Sequence, residues 1–187
     1  MVAALVARND VAGAETTVQK VLAKYPGDEG LLATATQVYL NYGRYSNALV
    51  VINRELKRSP DNLSALIAKG YSCLQIGAYE EAIPALSRVL ALETNTSDVH
   101  YSALLNRAIA YLRSDQLDAA QRDYEVLQKA FPTAYRVYFG LEEVAYRKKD
   151  TNAASRFCDL YLANSPTNTE EFKYIRERAK ELKPGGR

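Results

Sequence analysis

Residues Glu29–Asn62 read EGLLATATQVYLNYGRYSNALVVINRELKRSPDN. Leu32, Ala35, Tyr39 and Leu40 recur at helical spacing, which places them on one stripe of an amphipathic helix. The pattern breaks at Asn41-Tyr42-Gly43-Arg44, where Gly43 supplies the backbone freedom of a tight turn. Ala48, Leu49, Ile52 and Leu56 then form a second stripe. Pro60 cannot continue a helix and disfavours helical geometry at Ser59, so the second helix stops there. The segment predicts a helix–turn–helix hairpin, too small to bury its two faces alone.

The same plan runs through the chain. Ala14, Ala48, Ala82, Ala120 and Ala154 follow one another at intervals of 34, 34, 38 and 34 residues. Twelve residues after each stands Pro26, Pro60, Thr94, Pro132 or Pro166. Leu63–Thr96 carries Leu66, Gly70, Cys73 and a turn at Gly77-Ala78-Tyr79; Tyr101–Ala134 carries Leu104, Ala108, Tyr111 and Tyr124; Tyr135–Asn168 carries Tyr138, Leu141, Ala145 and Cys158. Small residues such as Gly70 and Ala108 are expected where two helices approach closely, because a larger side chain there costs roughly 1–3 kcal/mol. The expectation is a single domain over 1–187, with a partial repeat at 1–28, repeats at 29–62, 63–96, 101–134 and 135–168, and a capping helix over about 168–183.

In these residues the chain resembles the tetratricopeptide repeat family. The tryptophan-type position of that pattern is held by Leu32, Leu66, Leu104 and Tyr138, its glycine is kept only as Gly70, and Thr94 replaces one closing proline. The resemblance implies an all-α fold: a right-handed superhelical solenoid of antiparallel helix hairpins, closed by a C-terminal capping helix. It also implies a concave groove lined by the first helices. By the family's geometry that groove takes Ala33, Thr34, Gln37 and Asn41, then Ile67, Ala68, Tyr71, Leu74 and Gln75. Leu105, Asn106, Ile109 and Arg113 follow, and then Arg136, Phe139, Glu143, Tyr146 and Arg147. Leu74 and Leu105 either line the groove or pack beneath it.

The family's carboxylate clamp for chaperone tails does not carry over. Ile67 and Tyr71 stand where it needs Lys and Asn, Asn106 is kept, and Arg136 is followed by Gly140 in place of an Arg. The expected ligand is therefore a peptide or helix of a protein partner, anchored by apolar and aromatic groups. Tyr71, Phe139, Arg113 and Arg136 are the expected hot spots.

Four features interrupt the beat. The long interval holds four extra residues, Ser97-Asp98-Val99-His100, read either as a longer loop or as an early helix start capped by Asp98. Pro84 is placed in the first turn or so of its helix, where a missing N–H does least harm. Asn168 with Glu171 resembles a capping box for a last helix ending near Lys183 and Pro184-Gly185-Gly186. Phe172, Ile175, Ala179 and Leu182 would form its buried face, with Lys173, Arg176, Glu177, Arg178, Lys180 and Glu181 in solvent. Finally, Ala14 lies only 13 residues from Met1, so the first hairpin lacks roughly half of its first helix; either the chain is a piece of a longer repeat protein or that end is covered by a partner or a second copy, and some self-association through it is expected.

Composition narrows the classes. A net charge of +2 gives no basic stripe for nucleic acid. No apolar run reaches the length of a membrane span, and the start of the chain does not read as a signal peptide. A cytoplasmic protein is the expectation. One histidine and two distant cysteines give no zinc spacing, and no phosphate loop, nucleophile elbow or cofactor fingerprint is present. His100 and the pairs Glu80-Glu81, Glu142-Glu143 and Glu170-Glu171 are expected to be solvated, and Arg147-Lys148-Lys149 to favour a helix end. Three readings follow: a non-catalytic interaction scaffold, a self-assembly module, or an accessory domain whose catalytic part lies elsewhere. Mass against concentration separates the first two, and the length of the full gene product separates the third.

Overall fold

The computed structural model describes residues 11–182, which form ten helices and no strand. They are α1 (Val11–Lys24), α2 (Glu29–Asn41), α3 (Tyr45–Arg58), α4 (Leu63–Gln75), α5 (Tyr79–Leu92), α6 (Asp98–Arg113), α7 (Leu117–Ala130), α8 (Tyr135–Arg147), α9 (Thr151–Asn164) and α10 (Glu170–Glu181). None of these helices is long and apolar enough to cross a membrane. The chain divides into two compact units, one up to Ala103 and one from Leu104 onward. Residues 1–10, where the expected partial first helix begins, and the Pro184-Gly185-Gly186 stop lie outside the described residues.

In the first unit each helix packs on its neighbour in sequence, and α2 also touches α4 directly. Its core joins Ala14, Val18 and Leu22 of α1 to Leu32, Ala35 and Tyr39 of α2 and Ala48, Val51 and Ile52 of α3. In the second unit α7 packs on α8, α8 on α9 and α9 on α10. The five alanines of the beat are all fully buried, which is why no larger residue recurs there.

The hairpin turns share one geometry. Arg44, Ala78, Gln116 and Asp150 each donate a backbone N–H to the carbonyl five residues back, closing the end of a first helix. The residue before each of these takes a left-handed φ: Gly43 at 65°, Gly77 at 78°, Asp115 and Lys149 at 61°. Glycine adopts this φ freely, whereas Asp115 and Lys149 crowd their own Cβ against the backbone. First helices are entered through a side-chain cap where the sequence supplies one. Asp28 Oδ1 accepts from Leu31 N at 2.9 Å, and Asn62 Oδ1 accepts from Ala65 N at 3.0 Å.

The structure corrects the sequence reading at several places. Three of the four inserted residues are helix rather than loop: α6 runs to 16 residues where α2 and α4 have 13. Its early start is capped by Ser97, whose hydroxyl accepts from His100 N at 3.2 Å, and Asp98 is the first helical residue. His100 is therefore half-buried rather than solvated, its Nδ1–H donating to the Glu93 carbonyl at 2.8 Å. Pro84 is the sixth residue of α5, beyond the first turn, so the Glu80 carbonyl lacks its helical donor. The last helix is capped by Thr169, which accepts from Phe172 N at 3.1 Å, and not by Asn168 with Glu171.

Candidate functional site

The first helices present the residues that the repeat pattern singles out. On α2, Gln37 and Asn41 are exposed and joined, Gln37 Nε2 donating to Asn41 Oδ1 at 2.6 Å. On α4, Ile67 is half-buried, Gln75 is exposed, and Tyr71 is 40% exposed. The Tyr71 ring stands edge-on to Tyr45 with centroids 5.8 Å apart, which fixes its position. Tyr71 and Gln75 follow Gln37 and Asn41 by one 34-residue period, so the four hold equivalent places on two touching helices.

In the second unit Asn106 and Ile109 are half-buried on α6, and Arg113 is exposed at its end. On α8, Arg136 is exposed with its guanidinium 6.0 Å from the Tyr135 ring. Phe139 is half-buried, its ring 6.1 Å from that of Tyr161, so it is partly a packing residue. Tyr146 is 44% exposed. At Gly140, a Cβ atom would lie 2.2 Å from Tyr124 Cζ. No larger side chain fits there while that ring keeps its place.

Sequence reasoning missed the charge cluster at the end of this unit. Glu142 and Glu143 are not a solvated pair, and Arg178 does not face solvent. Glu142 is fully buried and accepts from Arg178 Nη1 at 3.1 Å on both carboxylate oxygens. The same nitrogen donates to Glu143 Oε2 at 2.8 Å, and Arg147 Nε donates to Glu143 Oε1 at 2.7 Å. The Arg178 guanidinium lies 3.9 Å from the Tyr146 ring centroid and 4.6 Å from that of Tyr174. Burial raises the Glu142 carboxyl above its ordinary range, only partly opposed by Arg178. Burial acts the same way on Glu143, but hydrogen bonds from Arg178 and Arg147 outweigh it and hold that carboxyl low.

The period held the signal for this cluster. Phe172, Ile175 and Ala179 stand 34 residues after Tyr138, Leu141 and Ala145, so α10 keeps the register of a first helix. Arg178 then occupies the place of Val38, Ser72, Ala110 and Val144, all of which are buried. The basic run beside it is also built into the fold. Arg147 Nη1 donates to the Leu112 carbonyl at 3.1 Å, and Lys148 Nζ pairs with Asp118 at 2.6 Å. Arg107 and Asp123 form a second part-buried pair, with two bonds of 2.8 Å.

Two family models match this chain: "Anaphase-promoting complex, cyclosome, subunit 3" over residues 7–89 and "Tetratricopeptide repeat" over residues 105–169. The chain belongs to the tetratricopeptide repeat family. This repeat protein is 27% identical over 154 residues to DnaJ homolog subfamily C member 3 of Gallus gallus. That match covers 80% of the chain and 30% of the relative, so the chain spans under a third of that curated protein. Among solved structures, YrrB, described as a TPR protein with an unusual peptide-binding site, superposes with a TM-score of 0.78 at 16% identity, covering 94% of this chain and 88% of that one. A MamA protein gives 0.76 at 21% identity, covering 92% and 91%. At such identities the likeness is one of fold. The fold of this family is in general a scaffold for protein interaction.

Proposed function

We propose that this repeat protein is a non-catalytic scaffold that holds a peptide or helix of a partner protein on the exposed faces of its first helices, without a chaperone-type carboxylate clamp. One observation carries the reading. Gln37, Asn41, Tyr71 and Gln75 in one unit, and Arg113, Arg136 and Tyr146 in the other, are exposed at the positions the family's groove uses, Tyr146 also packing on the Arg178 guanidinium. The absence of a clamp is supported by Gly140, where the ring of Tyr124 leaves no space for an arginine. The non-catalytic reading is supported by the fully buried carboxylate of Glu142 and the part-buried ones of Asp123 and Glu143, each held by an arginine. The peptide-binding site for which YrrB is described is consistent with this use of the fold.

The test is cross-linking mass spectrometry on a captured partner, beside Tyr71→Ala with Arg136→Ala. Links should fall on α2, α4, α6 and α8, and the double variant should lose the partner. Links confined to the second helices α3, α5, α7 and α9 would sink the reading.

A second reading, self-association, draws on an open cavity of about 490 Å³ between α1 and α3, floored by Tyr39 and rimmed by Leu22, Val50 and Arg54. Val50 is 55% exposed there. A mass that stays monomeric at high concentration in light scattering would exclude it.

A further inference from the structure

We propose that the α2–α4 surface reads the main chain of an uncharged, extended polypeptide segment, with one apolar side chain of that segment seated against Ile67 and Tyr71. The proposal rests on the scaffold reading above and names the chemistry of the ligand.

Charge decides the class of partner. The 26 residues of α2 and α4 include only two charged side chains, Glu29 in the first turn of α2 and the half-buried Lys69. Neither stands at the positions of Gln37, Asn41, Tyr71 and Gln75. A charged segment laid on this surface would surrender water without meeting a counter-charge, and that loss is larger than for any neutral polar group. The second unit differs, since Arg113 and Arg136 stand exposed on its first helices.

The exposed groups that replace charge are carboxamides, and they match a peptide unit. Gln37 Nε2 donates to Asn41 Oδ1, which leaves Gln37 Oε1 as an acceptor and Asn41 Nδ2 as a donor. A peptide unit brings one N–H and one C=O, so this pair satisfies both. Gln75, one period after Asn41, offers a second donor and acceptor on the touching helix. The bond between Gln37 and Asn41 and the edge-on contact between Tyr71 and Tyr45 hold three of these groups before a ligand arrives. Less side-chain freedom is then lost on binding. Extended backbone exposes its N–H and C=O groups, whereas a helix has already used them. The surface therefore selects an extended segment over a helix.

The full chain is panned against a phage library of random dodecapeptides, and enriched sequences are synthesised. The expected peptides carry no charge in their common core and one aliphatic or aromatic anchor. Their affinity should change by less than about twofold between roughly 0.05 and 0.5 M NaCl, because no ion pair is formed. Gln37→Ala with Asn41→Ala and Gln75→Ala should weaken binding roughly tenfold or more, as lost hydrogen bonds predict. N-methylation of central amides of the peptide gives a test that needs no protein variant and should also cost about tenfold. Acidic, salt-sensitive peptides that depend on Arg113 and Arg136 would overturn this inference and leave the scaffold reading standing. Neutral peptides indifferent to the triple variant or to N-methylation would overturn it likewise. Enrichment of no peptide would overturn both.

Discussion

Replacing Arg178 by Met keeps most of the packing volume between Tyr146 and Tyr174 and removes the guanidinium. Glu142 is then left with no cation, at a site where its side chain has no exposure to solvent. Removing one partner of a buried pair typically costs about 3–5 kcal/mol, because the other charge stays desolvated. A second bound comes from titration. A stranded carboxylate escapes by taking a proton, at about 1.4 kcal/mol for each pH unit above the ordinary glutamate pKa near 4.3. Near pH 7 that escape costs about 3.7 kcal/mol, and near pH 5 about 1 kcal/mol. The expected loss is therefore about 3–4 kcal/mol at neutral pH, shrinking to about 1 kcal/mol in mild acid.

The sign is fixed by the direction of the shift. Burial already raises Glu142, and without Arg178 its folded pKa rises further. The folded variant then holds a proton that the unfolded chain has released, so its stability falls as pH rises from about 4.3 toward the folded pKa. Urea unfolding followed by circular dichroism near pH 5, 6 and 7 measures this, and amide exchange in α9 and α10 locates it. Glu142→Leu added to Arg178→Met should recover most of the loss, since replacing both members of a buried pair by apolar groups is often neutral. A single variant within about 0.5 kcal/mol of wild type at neutral pH, with no pH slope, would refute the reasoning.

Four further outcomes are expected. Lys149→Gly should stabilise the second unit by about 0.5–1 kcal/mol, because relief of the left-handed φ exceeds the entropy glycine adds to the unfolded chain; a lower melting temperature would contradict this. Gly140→Ala should cost roughly 1–3 kcal/mol as the new Cβ displaces the Tyr124 ring, and an unchanged urea midpoint would show the contact to be looser than the geometry has it. Cys73 and Cys158 are buried, with burial raising both thiols and pushing Cys158 up to about 12, so a disulfide reagent near pH 8 should label neither until the chain is unfolded. Asp61→Asn should barely move the urea midpoint despite two bonds of 2.7 Å to Arg88, because both side chains are about half exposed, and any change should vanish in high salt.

The elements that sequence reading located well are those where backbone chemistry leaves one outcome. Pro60 stops α3 at Arg58, Gly43 turns the chain, and the alanines of the beat are buried at every repeat. The readings that failed depended on which of two neighbouring groups makes a bond. Ser97 and Asp98 are both good caps, and only the path of the chain chose Ser97. Thr169 won over Asn168 in the same way. Arg178 reads as solvent-facing because it falls outside the apolar stripe of Phe172, Ile175, Ala179 and Leu182, and because charge is ordinarily left in water. Its partner Glu142 lies 36 residues earlier, a separation that no pattern within one helix can show.

Placing Glu142 and Arg178 on the period explains why the pair falls where it does. Glu142 sits four residues after Tyr138, the place where earlier repeats carry Thr36, Gly70 and Ala108, all buried. Small residues there let a second helix approach and contribute little direction of their own. A glutamate at that place must find a cation inside the fold, and α10 supplies one from the register position that earlier first helices fill with Val38, Ser72, Ala110 or Val144. The core positions are thus bound by packing and pairing at every level of the stack. Whatever distinguishes this chain's partner must be written in the side chains that the core leaves free. Those are amides and a tyrosine on α2 and α4, and arginines on α6 and α8. Under the scaffold proposal, two such unlike surfaces would favour different ligand chemistries, so a segment suited to the first unit should not be the kind suited to the second.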